Sequence, residues 1–220
     1  MVRPVTRALA QYGTLLRHAA AGRPVRVHLV DPGASRPPRP LVLAEWCGDL
    51  RPGDHALLAR CAGPTLDVGC GPGRLTAALA ASGRVALGVD ISAEAVRQAR
   101  RRGAPAEHRC VFSPVTGEGS WRHVLLADGN IGIGGDPDRL LSRCRELLAP
   151  GGDILVELEP PGTGSWQGLA ALRHDDRTGP AFPWAVVAAE DLDTRAQAAA
   201  LRVLDRWTEA RRWFAHLVPG

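Results

Sequence analysis

The sequence has 220 residues, of which 45% are hydrophobic and 23% charged, with a formal net charge of +4 at neutral pH. These values suit one large α/β domain whose core needs neither disulfides nor a metal. No apolar run approaches the ~20 residues that span a bilayer, and the N-terminus has no signal-peptide pattern, so we expect a cytoplasmic protein without membrane contact.

The basic residues argue against a nucleic-acid-binding protein, and the cysteines argue against a protein stabilised by disulfides or by a metal. All 27 basic residues are arginine, which is typical of a GC-rich coding bias and weakens the case for nucleic-acid binding that a basic chain would otherwise make. The five cysteines show neither a C-x-x-C pair nor histidines at zinc spacing; they are Cys47, Cys61, Cys70, Cys110 and Cys144. We therefore expect reduced thiols, with no disulfide framework and no metal site.

Residues 1–63 are predicted to form a helix and a hairpin that cap the binding site of the main fold. Apolar side chains at helical spacing predict a helix over residues 5–21, which contains the only tyrosine, Tyr12. Alternating residues and turn chemistry predict the hairpin over residues 25–43.

Two side chains directly after this hairpin, Glu45 and Trp46, are candidates for a substrate wall. A packed tryptophan beside a surface glutamate is the simpler interpretation. A turn with a helix cap at Asp54 then predicts a short helix to about Cys61.

The stretch from Thr65 to Thr76 combines an apolar strand, a glycine-rich turn and the start of a helix. Glycines at 69, 71 and 73 permit a tight turn and let a ligand approach the backbone. Their spacing departs from the dinucleotide fingerprint G-x-G-x-x-G, in which the third glycine comes three places after the second. Asp67, which precedes the first glycine, is unsuited to a pyrophosphate and suits a cofactor with a positive end and no phosphate.

The pattern Asp67-x-Gly69-x-Gly71-x-Gly73 resembles motif I of the class I S-adenosylmethionine-dependent methyltransferases. The cofactor of that family carries a sulfonium and an amine and has no phosphate. The resemblance covers about residues 64–160 well and the chain ends only by pattern. It implies an α/β fold, a doubly wound Rossmann-like sheet of seven mostly parallel strands with one antiparallel strand and helices on both faces.

The family pattern extends to the next two strands. The second strand closes at Asp90, about twenty residues beyond the glycine turn, where a carboxylate reaches the ribose hydroxyls of an adenosine-type cofactor. Residues 106–112 should form the third strand. Family members usually place an aspartate just after it, whereas here the matching position is Cys110, which leaves adenine recognition to backbone groups and apolar contacts.

A glycine-heavy loop follows the predicted fourth strand, His123–Asp128. Asp128 and Asn130 in this loop could touch the methionine end of the cofactor or orient the acceptor, although such a loop can also simply turn the chain. A fifth strand is predicted after the Pro150-Gly151-Gly152 helix stop, over residues 153–159.

The remaining chain completes the core, residues 64–220, in what we expect to be a single compact domain. A hairpin is predicted as an insertion near residues 165–188, then a helix over 191–200 and two last strands. The resemblance assigns the cofactor to nine residues, which are Asp67, Gly69, Cys70, Gly71, Gly73, Asp90, Ile91, Val111 and Asp128. An N-terminal helix lies over the pocket in many family members, so Tyr12 could also face the cofactor, although packing is the simpler interpretation.

The resemblance implies in-line methyl transfer, in which the protein aligns the donor and acceptor and needs a base only if the acceptor must lose a proton. No catalytic residue is identified from sequence. The conceivable bases are Asp128, His174, Glu157, Glu159 and His28. Enzymes that methylate amino groups of nucleic acids carry the motif Asn/Asp/Ser-Pro-Pro-aromatic after the fourth strand, and the sequence Ala127–Asn130 at that place does not match it.

A small-molecule acceptor is therefore predicted, with O-, N- or C-methylation left open. Two alternatives stand beside this prediction. One is a nicotinamide-dependent oxidoreductase, which the glycine spacing disfavours, and the other is a methyltransferase-like module that binds without catalysis. The sequence does not predict an oligomeric state.

Overall fold

The computed structural model describes residues 3–220, so Met1 and Val2 of the predicted N-terminal segment lie outside the described residues. The N-terminal elements are α1 (Arg3–Ala20), β1 (Val27–Val30), β2 (Arg39–Leu41), α2 (Leu43–Cys47) and α3 (Asp54–Ala59). The central elements are β3 (Thr65–Val68), α4 (Arg74–Ala81), β4 (Ala86–Asp90), α5 (Ala93–Arg101), β5 (Ala106–His108), β6 (Trp121–Leu126), α6 (Pro137–Leu147) and β7 (Leu148–Leu158). The last elements are β8 (Trp166–His174), β9 (Arg177–Thr178), β10 (Phe182–Val186), α7 (Leu192–Ala198), β11 (Leu201–Glu209) and β12 (Arg212–Pro219).

Seven strands form the larger sheet in the order β11-β12-β7-β6-β3-β4-β5. The five strands from β7 to β5 are parallel to one another. The strand β12 runs antiparallel to both β7 and β11. The predicted fold, a mostly parallel seven-stranded sheet with one antiparallel strand, is confirmed.

Helices cover both faces of this sheet because successive side chains of a strand point in opposite directions. In β6, Val124 and Leu126 face α6 and α7 in one apolar cluster, whereas Leu125 faces α3 and α4 in another. A strand that is covered on both faces is typically a continuous run of buried residues. Residues 123–126 of β6 are accordingly all buried.

The helix starts follow from local sequence. The hydroxyl of Ser92 accepts from the Ala95 N–H at 3.3 Å and caps α5. The carboxylate of Asp136 accepts from the Arg139 N–H at 3.0 Å, and Pro137 occupies the first turn of α6, where its missing N–H costs nothing.

Three strands have bounds that differ from those predicted. β5 ends at His108 instead of residue 112, β6 ends at Leu126 instead of Asp128, and β7 begins at Leu148 instead of Asp153. The early start of β7 has a tertiary cause, since Leu148 already pairs with Trp121 of β6. The Pro-Gly-Gly segment therefore lies within the strand and does not only end the helix.

A smaller antiparallel sheet has the order β10-β8-β1-β2, with β9 paired to β8. Its two halves are the segments 25–43 and 165–188, each of which was predicted as a separate hairpin. They join because β1 pairs with β8, with Val27 opposite His174 and Val30 opposite Ala171. Trp184 of β10 forms an isolated bridge with Ile133 in the loop after β6, and Ala188 just after β10 forms another with Glu159 just after β7. The small sheet thereby covers the carboxyl ends of the central strands.

Within residues 3–220, none of the helices has the length and apolar character needed to cross a membrane.

Candidate cofactor and acceptor site

A cavity of about 490 Å³ opens between the two sheets, at the carboxyl ends of β3, β4, β6 and β7. Open α/β sheets bind ligands at this edge. We call the two parts of this cavity the core half and the cap half. The core half is lined by residues of the glycine turn and the strand ends, including Asp67, Gly71, Asp90, Val111, Asp128 and Glu157. The cap half is lined by Leu9, Leu29, Trp46, Leu172, Phe182 and Trp184, together with Arg39 and Glu159.

The glycine turn presents bare backbone to the core half. Gly69 and Gly71 have φ values of +74° and +54°, which favour glycine. A Cβ on Gly69 would lie 2.8 Å from the Asn130 amide nitrogen, so that position is also kept small by packing. A Cβ on Gly71 would meet nothing closer than the Tyr12 hydroxyl at 3.8 Å, so it would fill open space in the cavity.

Asp67 lies buried at the floor of the core half. Its Oδ2 accepts from the Thr76 hydroxyl at 2.7 Å, which holds the carboxylate between the strand and α4. Burial raises the pKa of Asp67 to about 7, although the Thr76 hydrogen bond opposes the rise. A cationic group placed beside this carboxyl would favour its charged form.

Asp90 is fixed across the turn from Asp67. Its Oδ2 accepts from the Gly71 N–H at 3.0 Å and its Oδ1 accepts from the Ser92 N–H at 2.7 Å. Burial raises the pKa of this carboxyl, and the two backbone hydrogen bonds oppose that rise. Both oxygens retain a free lone pair, so a ligand hydroxyl can donate to them.

Eight of the nine residues predicted to bind the cofactor line the cavity; they are Asp67, Gly69, Cys70, Gly71, Asp90, Ile91, Val111 and Asp128. Gly73, the ninth, is not on the wall. A Cβ there would lie 2.6 Å from the Ala99 Cβ, so Gly73 lets α4 begin close against α5. Cys110 lines the cavity at the position where the family pattern has an aspartate.

The side-chain amide nitrogen of Asn130 stabilises the glycine turn. This Nδ2 atom donates to the carbonyls of Val68 and Gly69, each at 2.9 Å. The loop after β6 therefore braces the end of β3. This contact spans 61 residues of sequence and had no local signal.

Asp128 belongs to a network of charges that closes the floor of the cavity. Its backbone has a φ of +55°. Its carboxylate accepts from Arg51 and, at 2.7 Å, from Arg74 Nη2. Its own N–H donates to Glu157 Oε2 at 2.7 Å. Arg74 also pairs with Asp54, and both side chains are buried.

Arg212 completes the network from the last strand. Its Nε and Nη2 donate to the two oxygens of Glu157, each at 2.8 Å, and its Nη1 donates to Asp54 Oδ1 at 2.8 Å. Burial alone would raise the pKa of Glu157, but the bonds from Arg212 outweigh it and hold the pKa below its ordinary value. Sequence reasoning missed these partners because Arg212 follows Glu157 by 55 residues.

The central part of the chain matches a known protein family. Residues 65–152, which carry the glycine turn and Asp90, match a family model described as a methyltransferase domain. Residues 65–152 therefore form a methyltransferase domain. This match confirms the predicted methyltransferase class of the domain, and S-adenosylmethionine is the cofactor that such a domain uses.

Individual proteins resemble this chain in sequence or in fold. It is 33% identical over 114 residues to trans-aconitate 2-methyltransferase from Paracidovorax citrulli, covering 47% of this chain and 43% of that protein. Its fold resembles a methyltransferase from Bacteroides fragilis crystallised with S-adenosyl-L-homocysteine, with a TM-score of 0.77, 20% identity and coverage of 100% and 98% of the two chains. A sugar N-methyltransferase from Streptoalloteichus gives a TM-score of 0.57 at 21% identity, with coverage of 76% and 84%. The chain spans less than half the length of the curated relatives it matches.

The cap half of the methyltransferase cavity is mainly aromatic and aliphatic. Tyr12 of α1 packs edge-on against Trp46 of α2, with ring centroids 6.4 Å apart. Phe182 and Trp184 of β10 form a second edge-on pair at 6.1 Å. Tyr12 and Trp46 thus lie on the wall, and Glu45 joins them there. Burial, and next the Asp90 carboxylate, raise the pKa of the Tyr12 hydroxyl well above its ordinary value.

Of the five conceivable bases, the structure brings three to the cavity of the methyltransferase: Asp128, Glu157 and Glu159. The two histidines lie elsewhere, in β1 and at the end of β8. Asp128 pairs with three arginine side chains, and Glu157 pairs with two. Glu159 forms one ion pair, with Arg39 Nη1 at 2.5 Å.

Proposed function

We propose that this protein transfers the methyl group of S-adenosylmethionine to a small-molecule acceptor by in-line displacement. The observation that carries the proposal is the continuous cavity, whose core half has the family's glycine turn and whose cap half is apolar. A cofactor bound in the first part would thus border an acceptor in the second.

The core half fits the cofactor. The backbone at Gly71 has open space before it, and Asp90 can accept from the sugar hydroxyls. Ile91 and Val111 offer apolar contacts to the adenine ring, while Asp67 and Asp128 are acidic groups for the cationic end.

When bound, S-adenosylmethionine supplies a methyl carbon that bonds to the acceptor's lone pair while the methyl–sulfur bond breaks and its electrons remain on sulfur as a neutral thioether. The chain's own residues act by alignment. The small sheet and α1 cover the cavity and exclude water, and the ion-paired floor of Asp128, Glu157 and Arg212 holds the strand ends in place. Alignment of this kind lowers the barrier by removing the entropic cost of bringing the reactants together.

A small acceptor is favoured by the size of the cavity, which lies within the roughly 300–1,000 Å³ range of small-molecule sites. The named activities of the relatives, on trans-aconitate and on a sugar, agree with this. We infer a cytoplasmic enzyme. Its acceptor is neither a membrane nor a nucleic acid, because the small sheet roofs the cavity and leaves room for a small ligand.

Calorimetric titration with S-adenosylmethionine, S-adenosylhomocysteine and NADH tests the proposal. We expect micromolar binding of both adenosyl compounds and none of NADH. Binding of NADH alone would contradict the proposal and restore the oxidoreductase alternative.

A turnover screen separates an enzyme from a binding module. Purified protein and S-adenosylmethionine are incubated with a library of small metabolites, and S-adenosylhomocysteine release is measured by mass spectrometry. We expect release that depends on the metabolite. Cofactor binding without release for any library member would favour the non-catalytic module.

A further inference from the structure

The cap half restricts the chemistry of what it can hold. Its wall is built from aliphatic and aromatic side chains of α1, α2 and the small sheet. Among the described residues that line this half, the Tyr12 hydroxyl is the one neutral side-chain hydroxyl, and there is no amide or imidazole. A polyhydroxylated acceptor would leave its hydroxyls without partners there, which is costly in a desolvated site.

Glu159 is the acidic group between the cap half and the strand ends. It follows β7, and its backbone is tied to the chain beyond β10, with its N–H donating to Val187 O at 3.0 Å and its carbonyl accepting from the Ala189 N–H at 3.1 Å. Its side chain is 17% exposed, whereas that of its partner Arg39 is 40% exposed. The Glu159 carboxylate is therefore the more buried and the better fixed member of the ion pair.

Arg39 is the exchangeable member of the pair. It lies on β2, a three-residue strand at the edge of the small sheet. A half-exposed arginine forms weak, solvent-screened ion pairs. The more buried carboxylate cannot lose its positive partner without cost, because an uncompensated charge would then remain in the cavity. A ligand that displaces Arg39 must therefore bring a positive charge.

The surroundings also favour a cation over a neutral donor. The rings of Trp46, Phe182 and Trp184 line the cap half, and aromatic faces attract ammonium groups in desolvated sites. The whole cavity is lined by six acidic and four arginine side chains, in a chain whose net charge is +4. An anionic acceptor would meet more carboxylates than guanidinium groups there.

We propose that the acceptor is a small apolar amine, which binds as an ammonium ion by displacing Arg39 from Glu159. This inference rests on the proposed function. The ammonium transfers one proton to the Glu159 carboxylate, which frees the nitrogen lone pair. That lone pair forms the new nitrogen–carbon bond, and the product leaves as a methylated ammonium ion. Glu159 is then the catalytic residue that binds and deprotonates the acceptor.

Phenethylamine is a probe of this site, with 2-phenylethanol and 3-phenylpropionate as neutral and anionic counterparts of similar shape. Each is titrated into the protein saturated with S-adenosylhomocysteine, and binding is measured by ligand-observed NMR. We expect the amine to bind at least about tenfold more tightly than the other two, as for a charge-assisted hydrogen bond. Preferential binding of the alcohol or the acid, or no binding of the amine, would overturn the proposal.

Two variants test whether Glu159 and Arg39 cause the preference for the amine. Glu159→Gln should weaken the amine at least about tenfold and leave 2-phenylethanol unchanged, whereas Arg39→Gln should strengthen the amine because it removes the competing cation. Asp193→Asn is the matched control, since Asp193 is exposed on α7 and pairs with Arg206, and neither side chain lines the cavity. An amine affinity that is insensitive to both Glu159 and Arg39 would contradict the assignment.

Failure of this inference and failure of the proposed function give different results. If S-adenosylhomocysteine does not bind, the proposed function is wrong. If S-adenosylhomocysteine binds and alcohols, but not amines, are methylated in the turnover screen, only the amine assignment is wrong.

Discussion

Alanine at Gly71 provides a sharp test of the cofactor site. The position has a φ of +54°, and its missing Cβ leaves open space in the cavity. Gly83, just beyond the end of α4, is a matched control, because it has a φ of +78° and no atom within 4 Å of an added Cβ. Both substitutions impose the same backbone strain, but only Gly71 faces the cavity.

The two variants should lose similar stability. An L-residue in the left-handed region costs about 1–2 kcal/mol, and the stiffer unfolded chain offsets about 0.4–1 kcal/mol of this. A net loss of about 1 kcal/mol lowers Tm by about 2–4 °C for a chain of this size. At Gly71 the methyl group must also be accommodated against the ligand, and overpacking costs about 1–3 kcal/mol. That corresponds to a dissociation constant about 5- to 150-fold higher.

The assay is calorimetric titration of both variants with S-adenosylhomocysteine, after Tm and circular dichroism have shown that each is folded. We expect Gly83→Ala to bind like the original protein and Gly71→Ala to bind more weakly. The larger Gly71→Val should abolish binding. Unchanged affinity in a folded Gly71→Ala protein would refute the idea that the cofactor approaches the backbone at this turn.

Three further predictions concern buried charges. Asp90→Ala should weaken S-adenosylhomocysteine binding about 10- to 100-fold in calorimetry, because it removes the acceptor for the sugar hydroxyls; unchanged affinity would show that the ribose lies elsewhere. Arg212→Met should lower the free energy of unfolding in urea by about 3–5 kcal/mol, because it removes both close hydrogen bonds from Arg212 to Glu157 and leaves only the ion pair with Arg51 at 3.7 Å; a loss below about 1 kcal/mol would show that Arg51 compensates this carboxylate. Burial would raise the pKa of Asp153, but the hydrogen bond from His123 Nδ1 at 2.7 Å and the charges nearby outweigh it and lower that pKa. The stabilisation is therefore present above the unfolded pKa of about 3.9 and is lost as the pH falls through the lower folded value. Asp153→Asn should accordingly be less stable than the original protein at pH 6, with the difference shrinking below about pH 4; a constant difference would contradict this.

Much of the fold could be read from the sequence because its signals are local. The glycine turn, the strand before it and Asp90 lie within 25 residues of one another, and their conformations depend on residues that are neighbours along the chain. The helix caps at Ser92 and Asp136 are likewise set by contacts three residues apart. These elements determined the family, the sheet and the position of the core half.

The tertiary structure decided which distant residues complete the site. Nothing in residues 25–43 indicates that β1 will pair with β8, because strand pairing depends on edges brought together by the whole fold. The same holds for Glu157 with Arg212 and for Glu159 with Arg39, which are ion pairs across 55 and 120 residues. Gly73 belongs to motif I, yet its contact with Ala99 shows that a residue's place in a motif does not determine which way it faces. The periodicity of apolar residues along the sequence specifies a helix or strand and its buried face. The partner of a charged side chain is decided only in the folded protein, because packing must bring the opposite charges together in an interior of low dielectric constant.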